Sequence, residues 1–285
     1  MSVKQSEIDF ETMGVIWPED EVEVLTEEEG FEDDGTLKGK LDNSNIIRNI
    51  SFDQKEIMYN IQELYNDGNP FDCDLTASSL KFYEPKKSDR YAIQEPKHLF
   101  DVYPQFDRVR KITPFQKVPM DDCAVHSVVV DLPFVISPHN APSAKESKDT
   151  SCLIFKRFAS FYPVGELYEN IYWWLSECYR LLDDGGICVW KMQSTISGGI
   201  SHWSVPFSFM SAQKIGFYCI DEFILEAKAR LISAVKYKKQ MHARKYTSTF
   251  FVFKKDRKKA DKWNYFTMLE NMSRETLEGK VWEVK

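Results

Sequence analysis

The sequence predicts an α/β fold: a twisted, mainly parallel sheet with covering helices and an antiparallel edge. Three observations carry this. Short apolar runs alternate with helical patterns along the chain, as they do when helices join parallel strands. Ser127-Val128-Val129-Val130 is apolar at consecutive positions, as a strand covered on both faces is. Two late strand patterns, 217–225 and 247–253, have only a basic connection between them, which predicts an antiparallel pair at the edge of the sheet.

Residues 1–45 are rich in acids, lack periodicity and read as an acidic N-terminal arm. A domain over 46–260 follows, then a C-terminal extension over 261–285. Ser51-Phe52-Asp53-Gln54 has the form of a capping box, with Ser51 as N-cap. Ile57, Ile61, Leu64 and Tyr65 then repeat at helical spacing, and Asn66-Asp67-Gly68-Asn69-Pro70 stops the helix. Phe71-Asp72-Cys73-Asp74-Leu75 predicts a short strand and turn, Leu99-Phe100-Asp101-Val102-Tyr103 a second strand, and Val109-Arg110-Lys111-Ile112 a third. Residues 136–163 read mostly as loop, long enough to imply a function or disorder. A helix over 164–182 is predicted to bury Leu167, Ile171, Trp174, Leu175, Cys178 and Leu181, and Asp183-Asp184-Gly185-Gly186 ends it. Ile187-Cys188-Val189-Trp190 is the next buried strand, and a short helix over 207–215 closes at Gly216.

The chain has 285 residues, 43% of them hydrophobic and 14% aromatic, enough for a sizeable core. It contains no apolar run of the ~18 residues a membrane span needs. Its first residues have no apolar signal-peptide core, so the expectation is a cytoplasmic protein with no membrane partner. Six scattered cysteines without a Cys-x-x-Cys pair predict reduced, mostly buried thiols. Five dispersed histidines give a metal centre no support. Net charge is −7, but it is unevenly spread. Acids crowd 7–34, while bases crowd 228–262, from Lys228 and Arg230 to Lys258 and Lys259. Such a basic run is either a solvated lysine-rich surface or a face for phosphates.

Chemistry is expected where apolar runs end in acids. Asp72 and Asp74, Asp101, and Asp131 each close or follow one. In an open parallel sheet, ligands bind outside the carboxyl ends of strands. A carboxylate there can take the hydroxyls of a nucleoside or accept from an amine. Taken singly, each acid is better explained as a turn or N-cap residue, whereas all three in this order favour a ligand site. The stretch Asp131-Leu132-Pro133-Phe134 is the most informative, because it sets an acid, a proline and an aromatic side by side at the end of the strongest strand.

That tetrapeptide resembles the Asp-Pro-Pro-Tyr/Phe signature of S-adenosylmethionine-dependent DNA amino-methyltransferases of phages and mobile elements. The resemblance runs from about residue 50 to 255 and takes in Pro70-Phe71-Asp72-Cys73-Asp74, Phe100-Asp101-Val102-Tyr103-Pro104, Lys191-Met192-Gln193 and Gln240-Met241-His242-Ala243-Arg244-Lys245-Tyr246. Leu132 stands where the signature has proline, and the turn after Asp74 has Thr76, Ala77, Ser78 and Ser79 in place of glycines. The resemblance implies a class I methyltransferase-like Rossmann fold with S-adenosyl-L-methionine as cofactor. It implies that Pro70, Phe71, Asp72, Cys73, Asp74 and Asp101 hold the cofactor. Asp131, Leu132, Pro133 and Phe134 would then form the catalytic station. Lys191, Gln193, Gln240, His242, Arg244 and Lys245 would meet the substrate, a nucleic acid, with DNA favoured and adenine N6 ahead of cytosine N4. An RNA amino-methyltransferase and an inactive nucleic-acid-binding homologue are the alternatives.

Overall fold

The computed structural model describes residues 46–84, 91–136, 160–161, 164–197, 199–228 and 241–278. The chain divides into two units, Met1–Ile47 and Arg48–Lys285, and the second is described below. The acidic arm, Gln240, most of the 136–163 segment and the bases from Arg230 to Lys239 lie outside the described residues.

The second unit is built on an eight-stranded sheet. In chain order its strands are β1 (Ile50–Ser51), β2 (Cys73–Asp74), β3 (His98–Asp101), β4 (Arg110–Lys111), β5 (Val125–Asp131), β8 (Leu182–Met192), β11 (Tyr218–Glu226) and β12 (Thr247–Lys254). Two two-stranded sheets join β6 (Val135–Ile136) to β7 (Ser160–Phe161), and β9 (Thr195–Ser197) to β10 (Ile200–His202). The helices are α1 (Gln54–Tyr65), α2 (Val164–Leu181), α3 (Ser204–Ile215), α4 (Arg257–Lys262) and α5 (Tyr265–Glu278).

Across the main sheet the order is β1-β11-β12-β8-β5-β2-β3-β4. Chain order runs outward from β2 through β3 to β4, and outward from β5 through β8. The direction of winding therefore switches between β2 and β5, which leaves a crevice outside their carboxyl ends. This is the mainly parallel sheet the sequence predicts. One detail differs: β12 is antiparallel to both β8 and β11, so it lies inside the sheet. The edge beyond β11 is covered by β1, in parallel pairing. The two residues of β1 carry no strand pattern, so the sequence made β11 and β12 look like the border.

The core follows from the apolar runs. Val128, Val130, Cys188, Val189 and Trp190 are fully buried in β5 and β8. Leu167, Ile171, Trp174, Leu175, Cys178 and Leu181 of α2 are each at most 1% exposed, the face predicted for that helix. Each such side chain contributes about 1.5–3 kcal/mol on leaving water, which fixes α2 on the sheet. In α1 the buried face is Ile57, Met58 and Ile61, while Leu64 is exposed. The cap of α1 also moves. Asp53, not Ser51, is the N-cap, and its carboxylate accepts from Lys55 N at 2.9 Å. Ser51 is held in β1 and donates its hydroxyl to Glu56 at 2.5 Å. Its strand pairing takes it out of the helix terminus.

Gly185 and Gly186 lie inside β8, which follows α2 directly, so they do not cap the helix. A Cβ on Gly186 would stand 2.7 Å from the His126 carbonyl of β5, so only glycine lets the two strands approach there. Beyond 260, Asn264 and Trp263 bind Gln213 of α3, and Tyr265 stacks on Phe209 at 6.0 Å, so the C-terminal segment packs on the same unit.

Candidate functional site

Four acids that the sequence singled out divide between the two rims of the sheet. Asp72 lies at the amino rim. Its carboxylate accepts from His126 N at 2.8 Å and from Ser127 N at 2.9 Å, where β5 begins. Pro70, Phe71 and Asp72 line an open hollow there with Asn66, Lys97 and His126. Cys73 is buried within β2 and packs in the core. These four residues are therefore not brought to the crevice at the carboxyl ends. The resemblance implies a cofactor-binding turn over the whole of 70–74, and of these five residues Asp74 is the one that stands at the carboxyl rim.

Asp74, Asp101 and Asp131 do come together at the carboxyl rim, through one turn. Asp74 ends β2 and is completely buried. It accepts from Thr76 N at 2.7 Å, from the Thr76 hydroxyl at 3.3 Å and from the Tyr83 hydroxyl at 2.8 Å. The Thr76 hydroxyl in turn accepts from Asp131 N at 2.6 Å, across the switch point. Ala77 N donates to the Phe100 carbonyl, and Ser78 N donates to Asp101 Oδ2 at 2.8 Å. Tyr103 N donates to Asp101 Oδ1 at 2.6 Å. The turn from Thr76 to Leu80 thus ties the ends of β2, β3 and β5 into one frame. It does so without glycine: Ser78 and Leu80 have φ of 46° and 57°, left-handed backbone that side chains normally avoid.

The electrostatics separate the three acids. Burial pushes the Asp74 carboxyl up to about 7; Asp131 nearby adds to the rise, while Thr76 and Tyr83 oppose it. With its oxygens taken and no exposure, Asp74 is a structural acid. Burial also pushes Asp101 above its ordinary value, against the two amides that hold it. Asp101 is half-buried, and each oxygen has a lone pair left beyond the amide it binds. Asp131 has 28% side-chain exposure, and its Oδ2 pairs with the Lys191 ammonium at 2.8 Å. Lys191, near the end of β8, is only 13% exposed. Its ammonium also reaches Gln54 Oε1 at 3.4 Å and lies 5.2 Å and 5.5 Å from the rings of Phe82 and Phe250. One Asp131 oxygen is thereby fixed by a cation, and the other has no hydrogen-bond partner among the described residues.

After Asp131 the chain turns along the rim. Leu132 is buried in the core at 3% exposure, which gives a physical role to a bulky side chain where the signature has proline. Pro133 and Phe134 are half-buried, and the Phe134 carbonyl accepts from Thr195 of β9 at 3.5 Å. Gln193 is buried and donates to the Lys245 carbonyl at 3.2 Å, so it anchors the neighbouring segment rather than facing the crevice. His242 Nε2 meets the Gly199 carbonyl at 2.8 Å, Arg244 is exposed, and the Lys245 ammonium lies 5.0 Å from the Trp203 ring. Sequence reasoning passed over Thr76 as a binder, Tyr83, Gln54 and Trp203. Only Thr76 had a signal, its place two residues after an acid, where a hydroxyl closes an Asx-type turn. Among the described residues, no group of three His, Cys, Asp or Glu side chains is arranged to hold a metal ion. No helix among them is long and apolar enough to cross a membrane.

Comparison with known proteins bears on this rim. Several solved structures are similar to the chain. One is described as a DNA modification methylase of Thermus thermophilus complexed with S-adenosyl-L-methionine (13% identity, TM-score 0.31, 48% of this chain and 50% of that one). Another comes from the complex of the Haloferax volcanii Trm112 methyltransferase activator with a methyltransferase (12% identity, TM-score 0.37, 71% and 93%). A third is described as a hemolysin from Streptococcus thermophilus (13% identity, TM-score 0.35, 84% and 80%). The chain spans about half the length of the Thermus protein. No curated protein matches the chain. A family model described as DNA methylase matches residues 125–284, which include β5, Asp131 and Lys191. That match covers more than half of the chain, from the strand that carries Asp131 to the C-terminal helix, and by it the chain belongs to the DNA methylase family.

Proposed function

We propose that this methyltransferase methylates an exocyclic amino group of a DNA base, adenine N6 ahead of cytosine N4. The observation that carries the reading is the Asp131 carboxylate at the switch point, with one oxygen bound by Lys191 and its own amide held by Thr76. S-adenosyl-L-methionine is the cofactor of such a methyltransferase, and when bound it supplies an electrophilic methyl group on a sulfonium. The residues of the carboxyl rim fit it. Asp101, with lone pairs spare and its oxygens pointed by Ser78 N and Tyr103 N, suits a vicinal diol. Asp74 supports that station from behind by holding Thr76.

The chain's own work is positioning. The free Asp131 oxygen accepts one N–H of the target amine, and the Leu132 carbonyl accepts the other. Both hydrogens are then directed at the protein and the nitrogen lone pair points away, along the line of attack. Phe134 covers one face of the base, a stack worth ~1–3 kcal/mol. The amine proton leaves to solvent after the nitrogen–carbon bond has formed, so no strong base is required. Lys191 keeps Asp131 oriented while the amine acquires positive charge. A base in duplex DNA must leave the stack to reach this station, at a cost of a few kcal/mol.

The test is incubation of the purified protein with genomic DNA, and separately with total RNA, using cofactor labelled in its methyl group. Nucleosides are then analysed by mass spectrometry. Labelled N6-methyldeoxyadenosine is expected. Label in cytosine N4 would reverse the base preference, label only in RNA would move the substrate to RNA, and no label with cofactor bound would make the chain an inactive homologue.

A further inference from the structure

Beside the amine station lies a surface that the methyl-transfer chemistry leaves unused. It consists of the β9–β10 hairpin, Trp203 and the strip from Met241 to Tyr246. The hairpin pairs Ile200 with Ser197 and His202 with Thr195, and turns through Gly199 at φ +76°. Its inner strand is fastened to the segment leaving Asp131. Thr195 donates to the Phe134 carbonyl, and Ser197 donates to the Ile136 carbonyl at 3.0 Å. Its turn is fastened to the strip through His242 and the Gly199 carbonyl. The strip is fastened to the end of β8 through Gln193. The surface is thus held in place against the station by hydrogen bonds from both sides.

Its outer side is apolar, aromatic and cationic at once. Ile200 is 63% exposed, Trp203 58%, Met241 76% and Tyr246 40%. Isolated exposed apolar residues are ordinary. Here they are interleaved with Arg244 and Lys245, and Lys245 lies against one side of the Trp203 ring. The stretches of chain that build this surface carry no acid of their own, although Glu226 of β11 pairs with Thr247, next to Tyr246. The chain has 44 Asp and Glu residues, yet 191–220 and 227–255 contain none. These are the two stretches that supply the hairpin and the strip. A protein-binding apolar face has no need to shed every acid over such lengths, whereas a phosphate-bearing partner does.

Resting on the reading of a nucleic-acid amine as substrate, we propose that this surface is a stacking platform for the unpaired nucleotides beside the target base. Trp203 and Tyr246 offer π-faces to successive bases, and Arg244 and Lys245 meet the phosphates between them. The combination of aromatic rings and cations along one strip suits single-stranded or locally opened nucleic acid, because every base has a face to stack whatever its sequence.

The experiment measures fluorescence anisotropy of the full chain with labelled oligodeoxythymidylate, with and without S-adenosyl-L-methionine. Thymine has no exocyclic amine, so its affinity reports the flanking contacts and not the amine station. Trp203→Ala is expected to weaken binding by about five- to a hundredfold, Trp203→Phe to restore most of it, and Tyr246→Ala to give a smaller loss. Lys245→Ala is expected to lower the slope of log affinity against log salt by about 0.7. Cofactor affinity by calorimetry shows that each variant is folded. If Trp203→Ala and Tyr246→Ala bind cofactor and bind the oligonucleotide as the wild type does, the platform is overturned while the amine reading stands. If the wild type binds neither oligodeoxythymidylate nor an adenine-containing oligonucleotide, both fall together.

Discussion

Asp72 and Asp74 are two residues apart on the same short strand and belong to opposite rims of the sheet. At the amino rim Asp72 Oδ2 accepts from the first amides of β5, and the exposed His126 pairs with Asp183 at 2.9 Å alongside. At the carboxyl rim Asp74 is spent inwardly, but Asp101 and Asp131 keep part of their oxygens open to the crevice. Both rims are polar and both carry acids. They differ in what holds the carboxylates: the first amides of β5 at the amino rim, and the turn after β2 together with the Lys191 ammonium at the carboxyl rim. A parallel sheet gathers acids at both ends, and only those at the carboxyl rim stand at the switch point, where such sheets bind ligands.

The contrast can be broken most sharply at Asp131. Asp131→Ala is expected to lower single-turnover methyl transfer by about a hundred- to thousandfold. Cofactor affinity should stay within about tenfold; a variant that methylates normally would remove Asp131 from the station. Next comes the buried acid of the same rim. The Asp74 carboxyl has a folded pKa of about 7 against an ordinary value of 3.8, so between these the folded protein binds more protons than the unfolded chain. Its stabilising contribution is full below about pH 4 and is lost as pH rises through about 7, by up to on the order of 4 kcal/mol. Urea melts of wild type and Asp74→Asn should therefore diverge across that window and run parallel above it. At the amino rim, Asp72→Ala is expected to cost about 1–3 kcal/mol of stability, with cofactor affinity unmoved. Loss of cofactor binding with stability intact would put Asp72 back among the cofactor residues. Gly186→Ala, which drives a Cβ against the His126 carbonyl, should cost about 1–3 kcal/mol in the same melts and leave kcat per folded molecule alone.

These rims were unequally legible in the sequence. Val128–Val130 and Ile187–Trp190 stood out as runs too apolar for anything but buried strands, and the face of α2 was visible from its spacing. Asp131 and Asp101 could be picked out because each closes such a run. What failed to show was whatever depends on partners far along the chain. Asp72 and Asp74 look alike by position, and only the register of β2 against β5 assigns them to different rims. Ser51 looks like a helix cap until β11 claims it for a strand pair. Tyr83 reaches the site from a loop that carries no pattern of its own, and the capping-box form that includes Gln54 gives no sign that its side chain meets Lys191. The β9–β10 hairpin had a signal, Gly198-Gly199 between Ile196 and Ile200, that went unread inside a stretch of polar residues.

The reversed strand β12 has a consequence for how such a protein can diversify. Because β11 runs with β8 and β12 runs against both, β11 ends and β12 begins at the carboxyl rim. The connection between them, 227–246, therefore hangs both of its ends beside the reactive crevice. A segment rooted in this way can be lengthened, shortened or exchanged between relatives like a cassette. The hydrogen-bonded ladder on either side would keep its register, and the change would be felt only by whatever approaches the amine station.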